Sequence, residues 1–264
     1  MKISAAILTQ SGLPAPYAAS RPLEIRAIDL AGPGLGEVLV EIRAAGLCHS
    51  DLSVIEGNRP RPLPMALGHE AAGIVVAAGP GVDDLVAGDH VACVFVPSCG
   101  ACVSCAEGRP ALCEPGASAN GAGTLLSGAR RLSCEGVAVN HHLGVSAFAT
   151  HATLSRRSLV KIDRALAFEH AALFGCAVLT GAGAVVIAAA VKPGSSVAVI
   201  GLGGVGLAAL LGAKAAGAER IIAVDRMPAK LPLALELGAT DAVVADEDAA
   251  GHIRQLTGGG VDQA

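Results

Sequence analysis

The chain has 264 residues, a formal net charge of −4, eight cysteines and few aromatic residues. This length suffices for one or two domains with a sizeable core, built mainly from Val, Leu, Ile and Ala. The weak negative charge gives no electrostatic reason to expect nucleic acid or an anionic membrane as a partner. No apolar run is long enough to predict a leader peptide or a membrane-spanning helix. Eight cysteines without an export signal predict reduced thiols in a cytoplasmic, metal-using protein.

The first part of the chain, residues 1–164, alternates short apolar runs with Pro/Gly turns. Residues 32–36 form such a turn before the apolar run 37–42, and residues 74–78 form another run of the same kind. This pattern is typical of short antiparallel strands. Residues 117–128 are rich in Gly, Ser and Ala, and we expect a surface loop there. The sequence therefore predicts a mostly-β, barrel-like domain for residues 1–164.

After Arg164 the sequence changes from short strand-like runs to longer helical ones. Residues 165–194 carry helical runs of Ala, Leu and Val, and we interpret them as connecting helices. Residues 195–264 then read strand, helix, strand, helix, strand. That order is the first half of a doubly wound parallel sheet, with about three of its six strands. The predicted domains are thus residues 1–164, the connection 165–194, and the partial dinucleotide-binding domain 195–264.

Four cysteines close together give the most specific local signal. Cys99, Cys102 and Cys105 have C-x2-C-x2-C spacing, and Cys113 follows a short loop later. Four thiolates that converge on one point suit tetrahedral Zn2+. A disulfide framework is typical of shorter secreted chains, and an iron–sulfur loop continues with a different spacing. The spacing therefore favours a structural zinc lobe. Cys93 and Cys134 are interpreted as small apolar core residues.

A glycine fingerprint lies between the first strand and helix of the second domain, and its glycines are Gly201, Gly203, Gly204 and Gly206. Because it follows a strand and opens a helix, it predicts a dinucleotide-binding turn. The pyrophosphate is expected at the helix N-terminus. Asp225, at the end of the next strand, is placed to bind the ribose hydroxyls and to repel a 2′-phosphate. This favours NAD over NADP.

Three further candidates, Cys48, His69 and Cys176, are scattered along the chain. A catalytic zinc uses three protein ligands, and two cysteines with one histidine form one such set. Spacing alone does not distinguish these residues from ordinary core residues. The adjacent His141 and His142 are interpreted as surface or capping residues.

Five motifs occur in one order along the chain. They are residues 46–51, residues 67–70, the four-cysteine segment, residues 174–181, and residues 201–206 continued to Asp225. In this order they resemble the zinc-containing medium-chain alcohol dehydrogenase family. The resemblance runs from near the N-terminus to the last residue. It implies a GroES-like catalytic domain followed by a Rossmann-type NAD-binding domain, of which this chain carries an incomplete version.

The resemblance implies two zinc ions per chain. Matching positions assign the catalytic zinc to Cys48, His69 and Cys176, and the structural zinc to Cys99, Cys102, Cys105 and Cys113. Ser50 matches the hydroxyl group that passes the alcohol proton outward. Asp51 matches the carboxylate that orients the zinc-bound histidine, and Glu70 matches an acid close to the zinc. Phe95 matches a wall of the substrate pocket.

The same resemblance implies an NAD site. His49 matches a basic residue against the pyrophosphate, Thr180 and Val205 match side chains that pack on the nicotinamide, and Lys230 matches a contact to the adenosine ribose. The implied activity is hydride transfer between an alcohol or aldehyde and NAD(H), with the alcohol ligated to the catalytic zinc as an alkoxide. The implied partner is thus a small-molecule alcohol or aldehyde.

Two alternatives stay open. A glutathione-dependent formaldehyde dehydrogenase shares these motifs, and a glutathione requirement distinguishes it. The sequence ends at Ala264, where a fourth strand is expected to begin, so we interpret the chain as truncated. A truncated chain could be a non-catalytic zinc-binding fragment. Members of the family are homo-oligomers, but the missing part carries the edge through which they dimerise, so the oligomeric state of this chain stays open.

Overall fold

The computed structural model describes residues 1–264 as two compact units, Met1–Cys176 and Ala177–Ala264. The first unit is rich in short strands. Its strands are β1 Lys2–Leu8, β2 Leu23–Leu30, β3 Glu37–Gly46, β4 Met65–Ala66, β5 Glu70–Ala78, β6 His90–Cys93, β7 Leu132–Cys134, β8 Val137–His141, β9 His151–Ser155 and β10 Leu159–Lys161. Its helices are α1 Tyr17–Ser20, α2 His49–Ile55, α3 Val103–Ala106, α4 Glu114–Ala122 and α5 Phe168–Leu173.

The strands of the first unit form a closed barrel and a second sheet. The barrel has the order β1-β2-β7-β8-β4, and the 5-stranded sheet has the order β10-β6-β5-β3-β9. Most neighbours are antiparallel, whereas β4 and β8 pair in parallel. Apolar side chains fill both, with Val38, Val75 and Leu154 buried in the sheet core and Ile7 and Ile28 in the barrel core. The predicted barrel-like domain is confirmed.

The pairing of β3 with β5 positions the candidate site. Its register places Gly46, the last residue of β3, opposite Glu70, the first residue of β5. The chain leaves β3 at Gly46 and reaches Cys48 two residues later, while His69 immediately precedes Glu70. One antiparallel pair thus brings together two segments that are far apart in sequence.

The second unit is the predicted alternation of strands and helices. Its parallel sheet has the order β11-β12-β13, with β11 Ser196–Ile200, β12 Arg220–Asp225 and β13 Asp241–Val244. Its helices are α6 Leu179–Gly183, α7 Gly204–Ala215, α8 Leu231–Leu237 and α9 Ala249–Thr257. Leu210 of α7 and Ile221 of β12 are fully buried in its core. This arrangement is the partial Rossmann-type domain that the sequence predicts.

Two predictions about local structure are wrong. Residues 117–128 are not a surface loop throughout, because α4 extends to Ala122 and ends at Gly123, which has a φ of 68°. The stretch Phe168–Ala188 is helical over 21 residues with a mean hydropathy of 2.2, so a helix long and apolar enough to cross a membrane does exist. Length and composition alone do not distinguish such a helix from a buried core helix. Its first part, α5, packs with Ala171 and Ala172 in a core cluster of the first unit.

We predict that Gly206→Ala destabilises the second unit. A Cβ atom at Gly206 collides with the carbonyl oxygen of Gly201, and such overpacking lowers the free energy of unfolding by about 1–3 kcal/mol. The matched control is Gly183→Ala, because Gly183 has helical angles and no atom lies within 4 Å of an added Cβ. We expect the control to be as stable as the unaltered chain or up to about 1 kcal/mol more stable.

Urea unfolding followed by circular dichroism measures both variants. If Gly206→Ala unfolds at the same urea concentration as the unaltered chain, the close approach of the glycine turn to α7 is contradicted.

Candidate active site

Four thiols converge in the segment between β6 and α4. The sulfurs of Cys99, Cys102, Cys105 and Cys113 all lie within 4.8 Å of one another. Two of them stand at helix starts, since α3 begins directly after Cys102 and α4 begins directly after Cys113. This donor set and its closeness fit a tetrahedral metal ion bound by four thiolates.

Backbone N–H groups donate hydrogen bonds to two of these sulfurs. Cys99 Sγ accepts from the N–H of Cys102 at 3.2 Å and of Ala101 at 3.4 Å, and Cys113 Sγ accepts from Cys99 N–H at 3.2 Å. The N–H groups of Ala101 and Cys102 lower the pKa of Cys99 to about 6. Burial raises the pKa of Cys105 to about 11. Four crowded sulfurs cannot all be ionised without a cation, so the lobe is suited to a metal ion.

A second group combines Cys48, His69, Glu70 and Cys176, whose ligand atoms also lie within 4.8 Å of one another. The two sulfurs are 4.0 Å apart. Two Zn–S bonds of 2.3 Å at a tetrahedral angle place their sulfurs about 3.8 Å apart, so the spacing fits a shared metal ion. Burial first, and then the nearby Cys48 and Glu70, raise the pKa of Cys176. A bound cation removes this penalty because it favours the thiolate.

The carboxylate of Asp51 connects the two segments that supply Cys48 and His69. Asp51 lies in α2 and is only 3% exposed. Its Oδ2 accepts from Cys48 N–H at 3.4 Å, and its Oδ1 accepts from Gly68 N–H at 3.1 Å. His69 Nδ1 lies 3.1 Å from Oδ2 and donates to the carboxylate in the matching tautomer. The other ring nitrogen of His69 is thereby left for a metal ion.

A second imidazole reaches the same carboxylate. His142 Nδ1 lies 3.1 Å from Asp51 Oδ1. Burial on its own raises the pKa of Asp51, but the contacts with His142 and His69 outweigh it and hold the pKa well below its usual range. Burial lowers the pKa of His142. Asp51 is therefore ionised, and it faces two imidazole rings.

The remaining candidates of the first unit lie around this group. The ring of Phe95 meets the His69 ring edge-on at 5.6 Å between centroids. Glu70 is 2% exposed, and its carboxylate lies so close to Gly46 that an added Cβ there would displace it. Ser50 is half-buried in the first turn of α2, next to the exposed His49.

The glycine turn of the second unit has the features of a pyrophosphate-binding turn. Gly201 has a φ of 92°, a conformation that favours glycine. Gly206 cannot carry a Cβ, whereas an added Cβ at Gly203 meets no atom within 4 Å. The turn thus leaves backbone open at Gly203 and directs it into the N-terminus of the 12-residue helix α7. An anion is favoured at this position.

Asp225 sits at the carboxyl end of β12, beside the same turn. It accepts from the N–H of Leu202 at 2.7 Å and of Met227 at 2.8 Å, and these bonds lower its pKa. Lys230 Nζ lies 3.3 Å from its Oδ2, so the structure brings these two predicted cofactor residues together. Val205 and Thr180 are exposed, Val205 in the first turn of α7 and Thr180 in α6.

The interpretation of His141 and His142 as surface or capping residues is wrong. Both are at most 1% exposed. His141 Nε2 accepts from Arg131 N–H at 3.0 Å, and burial lowers the pKa of His141 to about 4. Sequence reasoning missed His142 because a histidine pair after a strand has no period or spacing that indicates an inward-facing ring. Cys93 is fully buried, and burial raises its pKa to about 12.

Comparison with known proteins matches both parts of the chain. Residues 34–164 match the family model "Alcohol dehydrogenase GroES-like domain", and residues 204–264 match "Zinc-binding dehydrogenase". The chain is 43% identical over 252 residues to S-(hydroxymethyl)glutathione dehydrogenase of Synechocystis, covering 94% of this chain and 68% of that protein. It is 42% identical to an NDMA-dependent alcohol dehydrogenase of Amycolatopsis methanolica, covering 100% of this chain and 69% of that one.

Solved structures agree with these matches. A benzyl alcohol dehydrogenase from Acinetobacter calcoaceticus superimposes with a TM-score of 0.90 at 38% identity, and the match covers 100% of this chain and 70% of that one. An alcohol dehydrogenase zinc-binding domain protein from Burkholderia ambifaria gives a TM-score of 0.92 at 40% identity, with the same coverage. The chain thus spans about two thirds of the length of these relatives.

We predict that Cys102→Ser lowers the zinc content of the purified chain by one equivalent, since a hydroxyl does not replace a thiolate in a four-sulfur site. Cys134→Ala is the matched control, because Cys134 is half-buried and belongs to no ligand group. Elemental analysis of both variants beside the unaltered chain measures the change. Equal zinc contents in all three would contradict a metal site at the four-cysteine lobe.

Proposed function

This chain belongs to the zinc-containing medium-chain alcohol dehydrogenase family, and we propose that it transfers a hydride between an alcohol–aldehyde pair and NAD(H). One observation carries this proposal. Cys48, His69 and Cys176 come from three distant places in the sequence, and their ligand atoms lie within 4.8 Å of one another. A set of two thiols and one imidazole is typical of catalytic zinc with one position left for substrate.

A zinc ion in this group would act as a Lewis acid that lowers the pKa of a substrate hydroxyl. The chain's own residues supply the remaining functions. Asp51 holds the ring of His69 by its Nδ1 contact and so fixes the tautomer that leaves the second nitrogen for the metal. We assign to Ser50 the transfer of the hydroxyl proton outward, and to Glu70 the place of an acid close to the zinc, beside the ligand sulfurs. Phe95, whose ring meets that of His69 edge-on, would form a wall of the substrate pocket.

The second unit would bind the cofactor, which accepts or donates the hydride. We assign the pyrophosphate to the turn at Gly203 and Gly204 and the N-terminus of α7. The lowered pKa of Asp225 keeps a negative charge there, which suits ribose hydroxyls and repels a 2′-phosphate, so NAD is preferred over NADP. Lys230 joins Asp225 at the ribose. Thr180 and Val205 would pack on the nicotinamide. His49 would contact the pyrophosphate.

The proposal includes a second zinc in the four-cysteine lobe. The N–H groups that point at the sulfur of Cys99 favour a thiolate there, and they support a closed structural site. We also propose a reducing, cytoplasmic location, since six of the eight cysteines belong to the two candidate metal groups, which need reduced thiols. Assembly into a homo-oligomer belongs to the proposal as a property of the family.

A second candidate substrate is S-(hydroxymethyl)glutathione. The relative from Synechocystis that is 43% identical to this chain carries that activity in its name. Both candidates use the same zinc and cofactor sites, so they differ in the requirement for glutathione and not in the metal chemistry. The third candidate is a chain that binds zinc but catalyses no reaction.

We predict that the zinc-loaded chain forms NADH from NAD with benzyl alcohol, or with formaldehyde only when glutathione is present. Ser50→Ala is expected to lower kcat about 100-fold, because it removes a group that moves a proton. Ser53→Ala is the matched control in the same helix, since the Ser53 hydroxyl donates to the His49 carbonyl at 3.0 Å. The control is expected to keep kcat within about twofold.

Three results distinguish the candidates. Activity with benzyl alcohol and no effect of glutathione supports a general alcohol dehydrogenase, and strict dependence on glutathione supports the second candidate. A chain that contains zinc and binds NADH, yet forms no NADH with either substrate, contradicts the proposed activity and identifies a metal-binding protein without turnover.

A further inference from the structure

His142 is a buried imidazole with no role in the mechanism described so far. Its side chain is 1% exposed, and its Nδ1 lies 3.1 Å from Oδ1 of Asp51. Its ring also meets the ring of His69 edge-on, with 5.6 Å between centroids and 83° between planes. His142 therefore contacts both the carboxylate that orients the candidate zinc ligand and the ligand itself.

The turn that carries His142 is fixed to the segment that carries His69. The N–H of His142 donates to Ser146 Oγ at 2.9 Å, which closes the turn. The next residues then bind the other segment, with Ala147 N–H donating to the Gly68 carbonyl at 3.0 Å and Phe148 N–H to the Leu67 carbonyl at 2.9 Å. The turn that carries the His142 ring is thus held by backbone hydrogen bonds to the segment before β5.

An ordinary core role does not account for a histidine here. Neither ring nitrogen of His142 has a well-aligned hydrogen-bond partner, and Nε2 is buried without any. A buried polar atom without a partner destabilises the fold, so an aromatic hydrocarbon ring would fill this space at lower cost. The gain that offsets this cost is the approach of Nδ1 to an ionised carboxylate.

A separate metal site is also a poor account of the cluster. Asp51, His69 and His142 together form a third group that could hold an ion. However, Asp51 already accepts backbone N–H groups from Gly68 and Cys48. An ion in this cluster would need Nδ1 of His69, but that nitrogen is directed at the Asp51 carboxylate, 3.2 Å from its Oδ1. The cluster is therefore better described as a support for one metal site than as another.

We propose that His142 is a positioning residue for the catalytic zinc: its Nδ1, which lies 3.1 Å from Asp51 Oδ1, keeps the Asp51 carboxylate against Nδ1 of His69. In this account the zinc ligand is steered by a chain of three buried side chains, His142, Asp51 and His69. This series of contacts begins at His142, in the turn after β8. That turn lies outside the five motifs that carry the resemblance to the zinc-containing family. The inference rests on the proposed zinc site at Cys48, His69 and Cys176.

The test uses two variants that separate the donor from the shape of the ring. His142→Phe keeps a ring but removes both nitrogens, and His142→Asn removes the ring but places a side-chain N–H near the Nδ1 position. His141→Gln is the matched control, because His141 is equally buried but interacts with Arg131 and not with Asp51. Each protein is loaded with zinc, and zinc transfer to a chromophoric chelator is timed. Cys176→Ser identifies which phase belongs to the catalytic site.

We expect His142→Phe to release the catalytic zinc about tenfold faster, since loss of an outer partner of a metal ligand weakens binding by this order. We expect His142→Asn and His141→Gln to stay within about twofold of the unaltered chain. Thermal stability should not follow the order of zinc retention: His142→Phe should unfold at a temperature at least as high as His142→Asn. The cobalt-substituted His142→Phe should have a shifted visible spectrum, because the His69 ring is held less firmly.

Two results would overturn the proposal. Unchanged zinc release and an unchanged cobalt spectrum in His142→Phe would mean that the ring only fills space. Equally fast release from His142→Asn would mean that the donor is not what matters. Failure of the proposed function looks different, because the unaltered chain would then lack the phase that Cys176→Ser removes.

Discussion

The buried carboxylate of Asp51 is the interaction on which the candidate active site depends. It is 3% exposed, and its contacts come from three separate segments: the start of α2, the loop before β5 and the turn after β8. An ionised carboxylate without partners is strongly unfavourable in such a place. The N–H groups of Cys48 and Gly68 offset this cost, and these contacts fix the positions of Cys48 and of His69, the residue after Gly68. The charge that would destabilise an ordinary core here fixes the geometry of a metal site.

The two thiol groups impose a complementary constraint. In the two groups, burial raises the pKa of the Cys105 and Cys176 thiols, and backbone N–H groups lower the pKa of Cys99. A bound cation favours the thiolate form of all three. Since the unfolded chain has no such preformed groups, metal binding and folding of the first unit would be coupled. Under the proposed function, zinc would stabilise this fold as well as take part in its chemistry.

Local spacing predicted those parts of the structure that local geometry determines. Gly201 and Gly206 could be assigned because the fingerprint reflects a positive φ and a close approach within one turn. The four-cysteine lobe could be assigned because its members lie within 15 residues. Cys48, His69 and Cys176 required a resemblance, because the β3–β5 register and the helix after Phe168 bring them together. Those long-range pairings leave no periodic trace in the sequence.

The same reasoning explains the errors. α4 was missed because its Gly and Ala content resembles a loop, while its start depends on Cys113 and on Pro115 in its first turn. His142 was missed because its burial is decided by hydrogen bonds from Ala147 and Phe148 to a segment far away in sequence. His142 can be read in the sequence, but the partners that bury it are brought to it only by the folded chain.

X-ray absorption at the zinc edge of the purified chain, combined with elemental analysis, tests the central claim that both thiol groups hold zinc. A four-sulfur site and a site with two sulfurs and one imidazole should average about three sulfur ligands per zinc, with Zn–S distances near 2.3 Å and a nitrogen shell near 2.0–2.1 Å. The account predicts this average together with two zinc ions per chain. One zinc ion per chain with about four sulfurs and no nitrogen shell would contradict it, because only the cysteine lobe would then bind metal.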